Sequence, residues 1–169
     1  TSTFHFFSEG FEYVCRGTFQ TDHVQFQFIF QIFKAQNFDF FFVSIENAAD
    51  KFDALYEKYF ASLGANAYYS IVPDKNFFLA EENGYPALDY QSMIEQLNGK
   101  ITEMTYINIL DCLEIEDYYK TDSHWSQEKI LDVVDRLSTA MGVRDKLSFR
   151  FEEKQLGSFH GVYRGQSAL

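Results

Sequence analysis

Asp122 and His124, two positions apart, are the side chains in this sequence best placed for proton chemistry. They lie in the string Tyr118-Tyr119-Lys120-Thr121-Asp122-Ser123-His124-Trp125-Ser126. In an extended loop, residues i and i+2 project to the same side. The carboxylate can then accept from one imidazole N–H and hold the ring in a single tautomer. The other ring nitrogen is left to take a proton from a nucleophile. The same residues also have a plainer assignment. Asp122 or Ser123 would cap the helix that follows, Trp125 would staple it, and His124 would fill a polar position. A bare Asp-x-His does not separate the two. Tyr118 and Tyr119 are open in the same way, between stacking on a sugar ring and packing in the core.

Other reactive side chains have less support. Ser158 follows Gly157, and Ser167 follows Gly165-Gln166. Neither stands in the tight strand-to-helix turn that exposes a nucleophilic serine. His160 lies in a Gly-flanked turn, and His5 and His23 fall in an unusual N-terminal segment. Asp111 and Cys112 follow a strand end and could line a pocket, although a buried thiol is the commoner role for such a cysteine. A metal site built from Asp122, His124 and a distant histidine has no ligand spacing behind it. Cys15 and Cys112 are the two cysteines, allowing at most one internal disulfide and no zinc-ribbon pattern.

The elements that must position these residues follow from periodicity. Phe26-Gln27-Phe28-Ile29-Phe30 alternates as a strand does, and the apolar run 38–45 reads as a strand buried on both faces. Apolar residues from Ile45 to Leu63 recur at helical spacing, predicting a helix over 47–63 with Asn47 as cap and Gly64 beyond its end. A strand over 67–72 stops at Pro73, and 74–88 reads as a loop. Asp89 caps a helix over 89–98. A strand over 104–109 and a short helix or turn over 110–117 come next. Ser126 then caps a helix running to Met141. Alternation of this kind predicts an α/β fold, a mostly parallel sheet with flanking helices. In such sheets ligands sit at the carboxyl ends of the strands, which is where the 118–126 loop falls.

Composition bounds the reading. The 169 residues suit one domain, and 46% hydrophobic with 23% charged residues describes a chain that folds. No run of about 18 apolar residues is present. Twenty-five acidic residues against 14 basic ones, a formal charge of −11, argue against nucleic acid as a partner. No basic stretch followed by an apolar run stands at Thr1, so no signal peptide is read there. Phenylalanine is abnormal: 13 of 20 fall in residues 1–42, where leucine is absent until Leu55. Cores mix aliphatic shapes with aromatic ones to pack densely. The chain therefore divides into an atypical Phe-rich segment, 1–43, whose text reads as foreign to the fold, and a conventional domain, 44–169.

The Tyr-Tyr-Lys-Thr-Asp-Ser-His-Trp string at 118–125 resembles the DHHW family of bacterial proteins, named for Asp-His-His-Trp. It is also similar to the alginate O-acetylation proteins, which carry Asp-x-His-Trp. Both look like relatives of the SGNH hydrolases, whose sheet is flavodoxin-like. The resemblance runs from about Glu46 to Leu169. It includes Val72-Pro73-Asp74-Lys75, like the family's Val-Pro-x-Lys after a strand, and the tail Gly161-Val162-Tyr163-Arg164-Gly165-Gln166-Ser167.

The resemblance implies an O-acetyl transferase or esterase acting on a cell-surface or exopolysaccharide outside the cytoplasm. Asp122 would orient and His124 would be the base; Tyr118, Tyr119 and Trp125 would contact substrate. It implies no cofactor and no metal, with a polysaccharide and a membrane-bound O-acyltransferase as partners. Position 123 is Ser where the family name has His. The serine nucleophile is expected from a later Gly-Asp-Ser segment. No Gly-Asp-Ser occurs in these 169 residues, and the sequence ends 45 residues after His124, so the expectation is an SGNH-like domain incomplete before that segment. The rival reading is a non-catalytic glycan-binding or accessory protein of a polysaccharide acetylation complex.

Overall fold

The computed structural model describes residues 2–8, 11–20, 23–32, 38–148, Gly157, His160, Gly161 and Tyr163, with the backbone alone for 2–44. The fold is mixed α/β. Five strands form one sheet in sequential order: β1 (Ser2–Ser8), β2 (Phe11–Gln20), β3 (His23–Ile32), β4 (Asn66–Val72) and β5 (Met104–Tyr106). The first three pair antiparallel as a meander. The pairs β3–β4 and β4–β5 are parallel, and each is joined by a helical crossover. The sheet is thus divided between the two pairings, where sequence alternation predicts a mostly parallel one. The expected parallel pairing of the 67–72 and 104–109 strands is present, although regular pairing in the second stops at Tyr106. The backbone beyond it still follows β4, since Ile107 N–H donates to Tyr69 O at 2.8 Å.

Among the described residues there are four α-helices: α1 (Phe38–Tyr59), α2 (Asn76–Asn83), α3 (Tyr90–Lys100) and α4 (Leu131–Ala140). Three expectations need correction here. Residues 38–45 are the first turns of α1 and not a strand, so Asn47 lies inside the helix. A short, continuous apolar run has no period that separates a buried strand from a buried helix. The helical pattern of Ile45, Ala48, Ala49 and Phe52 simply continues backwards, and α1 crosses the compositional boundary at residue 43. The second correction is in 74–88, where α2 replaces half of the loop. The Asn83-Gly84 turn signal ends that helix, with Gly84 left-handed at φ 66° and donating to Ala80 O and Glu81 O. Third, α4 begins at Leu131, because Ser126 closes a separate turn in which Lys129 N–H donates to its carbonyl at 3.0 Å. The α3 cap stands as read, with Ser92 N–H donating to Asp89 Oδ1 at 2.9 Å. The 110–117 stretch is two short 3-10 turns, Leu110–Cys112 and Ile115–Asp117.

Side chains of β4 alternate between two cores. Ala67, Tyr69 and Ile71 join Ile45, Ala48, Ala49 and Phe52 of α1 and Met93, Ile94 and Leu97 of α3. Tyr68 and Val72 join Ile107, Ile109, Leu113, Ile130 and Val133, on the side covered by α4. Between them Ser70, with no exposed surface, donates to Ile107 O at 2.9 Å and so satisfies its buried hydroxyl. Among the described residues no helix is long and apolar enough to cross a membrane.

One local conflict is written into α1. Asp53 Oδ1 is buried with no hydrogen-bond partner among the described residues. Burial, then the neighbouring charges of Glu103, Asp50 and Glu57, raise its carboxyl above the ordinary range. A group whose pKa is raised on folding destabilises the native state as pH rises through that range. Asp53→Asn should therefore stabilise the protein at neutral pH by about 0.5 kcal/mol, the scale of like-charge pairs on a helix. The gain should disappear at a pH low enough to protonate the wild-type carboxyl in both states. Thermal unfolding of the two proteins at neutral and acid pH measures both parts.

Candidate functional site

The turn that follows β4 is held by two tyrosines. Asp74 N–H donates to Tyr90 Oη at 2.8 Å, and Tyr118 Oη donates to Pro73 O at 2.6 Å. Both hydroxyls are held well above the ordinary phenol range, chiefly by burial. Tyr118 is 4% exposed and its ring lies tilted against Phe78, with centroids 5.7 Å apart. Its ring and hydroxyl are therefore committed to the core, which corrects its expected place against substrate. Trp125 is half-buried, pairs with Tyr118 through an isolated backbone bridge and packs on the α4-side core. It too serves packing more than it offers a stacking face. Tyr119 is half-buried, and its backbone does the visible work described next.

Residues 119–124 form a closed loop. Tyr119 N–H donates to His124 O at 3.1 Å, and Asp122 N–H donates to Tyr119 O at 3.2 Å. Inside this loop Asp122 Oδ1 accepts from His124 N–H at 3.0 Å and lies 2.5 Å from His124 Nδ1. The carboxylate is acceptor-only when ionised, so Nδ1 carries the proton and Nε2 becomes the basic nitrogen. Asp122 is buried, whereas the His124 side chain is 53% exposed. The pair therefore has a shielded orienter and an accessible ring.

Two segments distant in sequence close on this loop. Lys75 Nζ donates to Tyr119 O at 2.6 Å and stands 5.1 Å from the centre of the Tyr163 ring. Burial lowers the Lys75 ammonium below its ordinary range, and the Asp122 charge works in the opposite direction. From the C-terminal side, Gly161 N–H donates to Thr121 Oγ1 at 2.9 Å, and Tyr163 N–H donates to Thr121 O at 3.0 Å. Tyr163 is raised by burial and then by Asp122 and Asp74. A Cβ on Gly161 would fall 2.5 Å from Cβ and Oδ2 of Asp122, so only glycine fits there.

The remaining candidates lie elsewhere. Asp111 is exposed and accepts both Arg136 guanidinium nitrogens, at 3.1 and 2.9 Å. That contact holds its carboxyl below the usual range and ties the Leu110–Cys112 turn to α4. Cys112 is a half-buried free thiol, raised mainly by burial. His160 is exposed. His5 and His23 lie in β1 and β3, where only the backbone is described, and Ser158 and Ser167 fall outside the described residues. No group of three metal-ligating side chains converges among the described residues. Lys75, Thr121, Gly161 and Tyr163 were not singled out as site residues by the sequence. All four had a signal, because each stands in one of the strings that carry the family resemblance. Comparisons of the chain with protein-family models, with curated proteins and with solved structures gave no match.

Gly161→Ala should lower stability by about 1–3 kcal/mol, the usual cost of forcing atoms into an occupied space. It should also move the His124 ring resonances, since the displaced atoms are the Thr121 carbonyl oxygen and Cβ and Oδ2 of Asp122. Unfolding curves and histidine NMR spectra of the variant test this together. Unchanged spectra would place Gly161 outside the Asp122 environment.

Proposed function

We propose that this chain is an SGNH-like α/β domain of the DHHW type, contributing the orienter and base of an O-acyl transferase or esterase that acts on a polysaccharide outside the cytoplasm. The observation that carries this reading is the 2.5 Å contact between Asp122 Oδ1 and His124 Nδ1, with the ring half exposed. Further support comes from convergence. The three strings that resemble the family, 72–75, 118–126 and the one beginning at Gly161, meet in space through the Lys75–Tyr119 and Gly161–Thr121 hydrogen bonds.

In this mechanism a serine Oγ attacks the acyl carbonyl carbon and its proton passes to His124 Nε2. The ester C–O bond breaks, and the leaving alkoxide takes that proton. Water or a sugar hydroxyl then releases the acyl group by the same steps in reverse. Asp122 keeps Nδ1 protonated throughout and stabilises the imidazolium. The serine belongs to a Gly-Asp-Ser segment, which these 169 residues do not include.

The test is acetate release from a simple acetyl ester. Removing a triad's nucleophile costs on the order of 10⁶ in kcat, so the 169-residue chain should release no measurable acetate. A chain extended to include a Gly-Asp-Ser encoded by the same gene should be active, and His124→Ala in it should be silent. Release by the 169-residue chain that is lost in His124→Ala would put the nucleophile within this sequence and overturn the division proposed here. Glycan binding without turnover in the extended chain would favour the accessory role, alongside a membrane-bound O-acyltransferase.

A further inference from the structure

Tyr119 O is a shared acceptor. It takes the Asp122 N–H at 3.2 Å, which closes the turn presenting the carboxylate, and it takes Lys75 Nζ at 2.6 Å. The lysine comes from the chain leaving β4, 44 residues away in sequence. That chain is itself fixed, by Tyr90 Oη on Asp74 N–H and by Tyr118 Oη on Pro73 O. The far side of Lys75 is closed by the Tyr163 ring, and Tyr163 N–H returns to Thr121 O, one residue before Asp122. Lys75 is therefore the crossing point between the end of the sheet, the 119–124 turn and the C-terminal segment.

We infer that Lys75 is a positioning residue for the Asp122–His124 pair: its ammonium, bonded to the Tyr119 carbonyl and roofed by Tyr163, holds the turn in the geometry that keeps the proton on His124 Nδ1. Among the described residues Lys75 makes no hydrogen bond to the imidazole; its effect passes through the Tyr119 carbonyl and through the charge it presents to Asp122. A charge-assisted hydrogen bond of this kind is roughly twice as strong as a neutral one. Among the described residues, two backbone hydrogen bonds cross the turn and both end on Tyr119, the residue Lys75 holds, so losing the anchor lets Asp122 Oδ1 drift from Nδ1. The consequence for acyl transfer rests on the function proposed above, but the positional role does not.

The experiment reads the ring directly and needs no turnover. Nitrogen-15 NMR of the full 169-residue chain, at a pH where the imidazole is neutral, gives the share of each His124 tautomer, with His124→Gln for assignment. Wild type should show predominantly the Nδ1–H form. Lys75→Met keeps the apolar stem and removes the donor; it should bring His124 towards the mixed tautomers of a free imidazole. Lys75→Arg keeps a donor and should retain the wild-type ratio. A folded Lys75→Met protein with the wild-type ratio would overturn the inference. A second measurement on wild type needs no folded variant. Reductive methylation should modify Lys75 at least several-fold more slowly than Lys120, whose residue is exposed. Equal rates would show that Lys75 is not anchored, and would also overturn the inference. Failure of the acetate test with the tautomer result intact would dismiss the proposed chemistry and leave the positioning role standing.

Discussion

Burial of β4 on both faces is the constraint from which the site geometry follows. A strand covered by helices on both sides has little freedom to shift register, since a slip of one residue would exchange Tyr69 and Ile71 for Ser70 and Val72. The point at which the chain leaves the sheet is then determined to within one residue. Pro73 enforces the exit, because it cannot donate to a further ladder. Lys75 follows two residues later. Its position is inherited from the packing of the strand, transmitted through a turn whose backbone is held at Pro73 by Tyr118 and at Asp74 by Tyr90.

Those two tyrosines explain why the aromatic residues near the site serve the fold. Tyr118 spends its hydroxyl on a carbonyl at the end of β4, so the same residue that opens the 118–126 string also ties it to the sheet. A buried carbonyl left without that donor would cost roughly 1–3 kcal/mol. The site also runs against the charge of the whole molecule. In a chain with formal charge −11, the Lys75 ammonium, on which the charge of Asp122 acts, is held by a carbonyl and an aromatic face.

Much of this arrangement was legible in the sequence, and what was missed has physical reasons. Alternation disclosed the strand around 26–30, and a short apolar run ended by Pro73 disclosed β4, because period 2 and a terminating proline are local signals; the parallel neighbour near 104–106 was legible as well. The Asp89 cap of α3 was equally local. The run 38–45 was misread because a continuous apolar stretch carries no period. Residues 74–88 were misread because Asn83-Gly84 and Pro86 dominate the composition, while a two-turn helix ahead of them shows little amphipathicity. The Asp122–His124 contact was legible since it depends on residues two apart. Tyr118 was ambiguous, and only the position of Pro73, a long-range fact, sends its ring inward. Gly161 and Tyr163 could not be assigned from spacing, because their partner Thr121 is 40 and 42 residues away.

The division between local and distant contributions has a mechanistic meaning. The orienter and base are assembled within a single turn: Asp122 Oδ1 binds both the backbone N–H and the ring of the same histidine. Such a pair needs no second domain to bring its members together. What it does need is a turn that does not relax, and no contact within 119–124 supplies that alone. The rigidity comes from outside, through Lys75 on one side and Gly161 on the other, each bonded to main-chain or hydroxyl atoms of the turn and not to the pair itself. Chemistry requires the carboxylate within a few tenths of an ångström of its hydrogen-bonding place, and supporting contacts commonly decide whether that tolerance is met. A turn of this construction can present a base to any nucleophile brought to Nε2. Under the function proposed above, the reaction is set by what approaches the exposed half of His124, while the orientation of the ring is set by atoms already fixed beneath it.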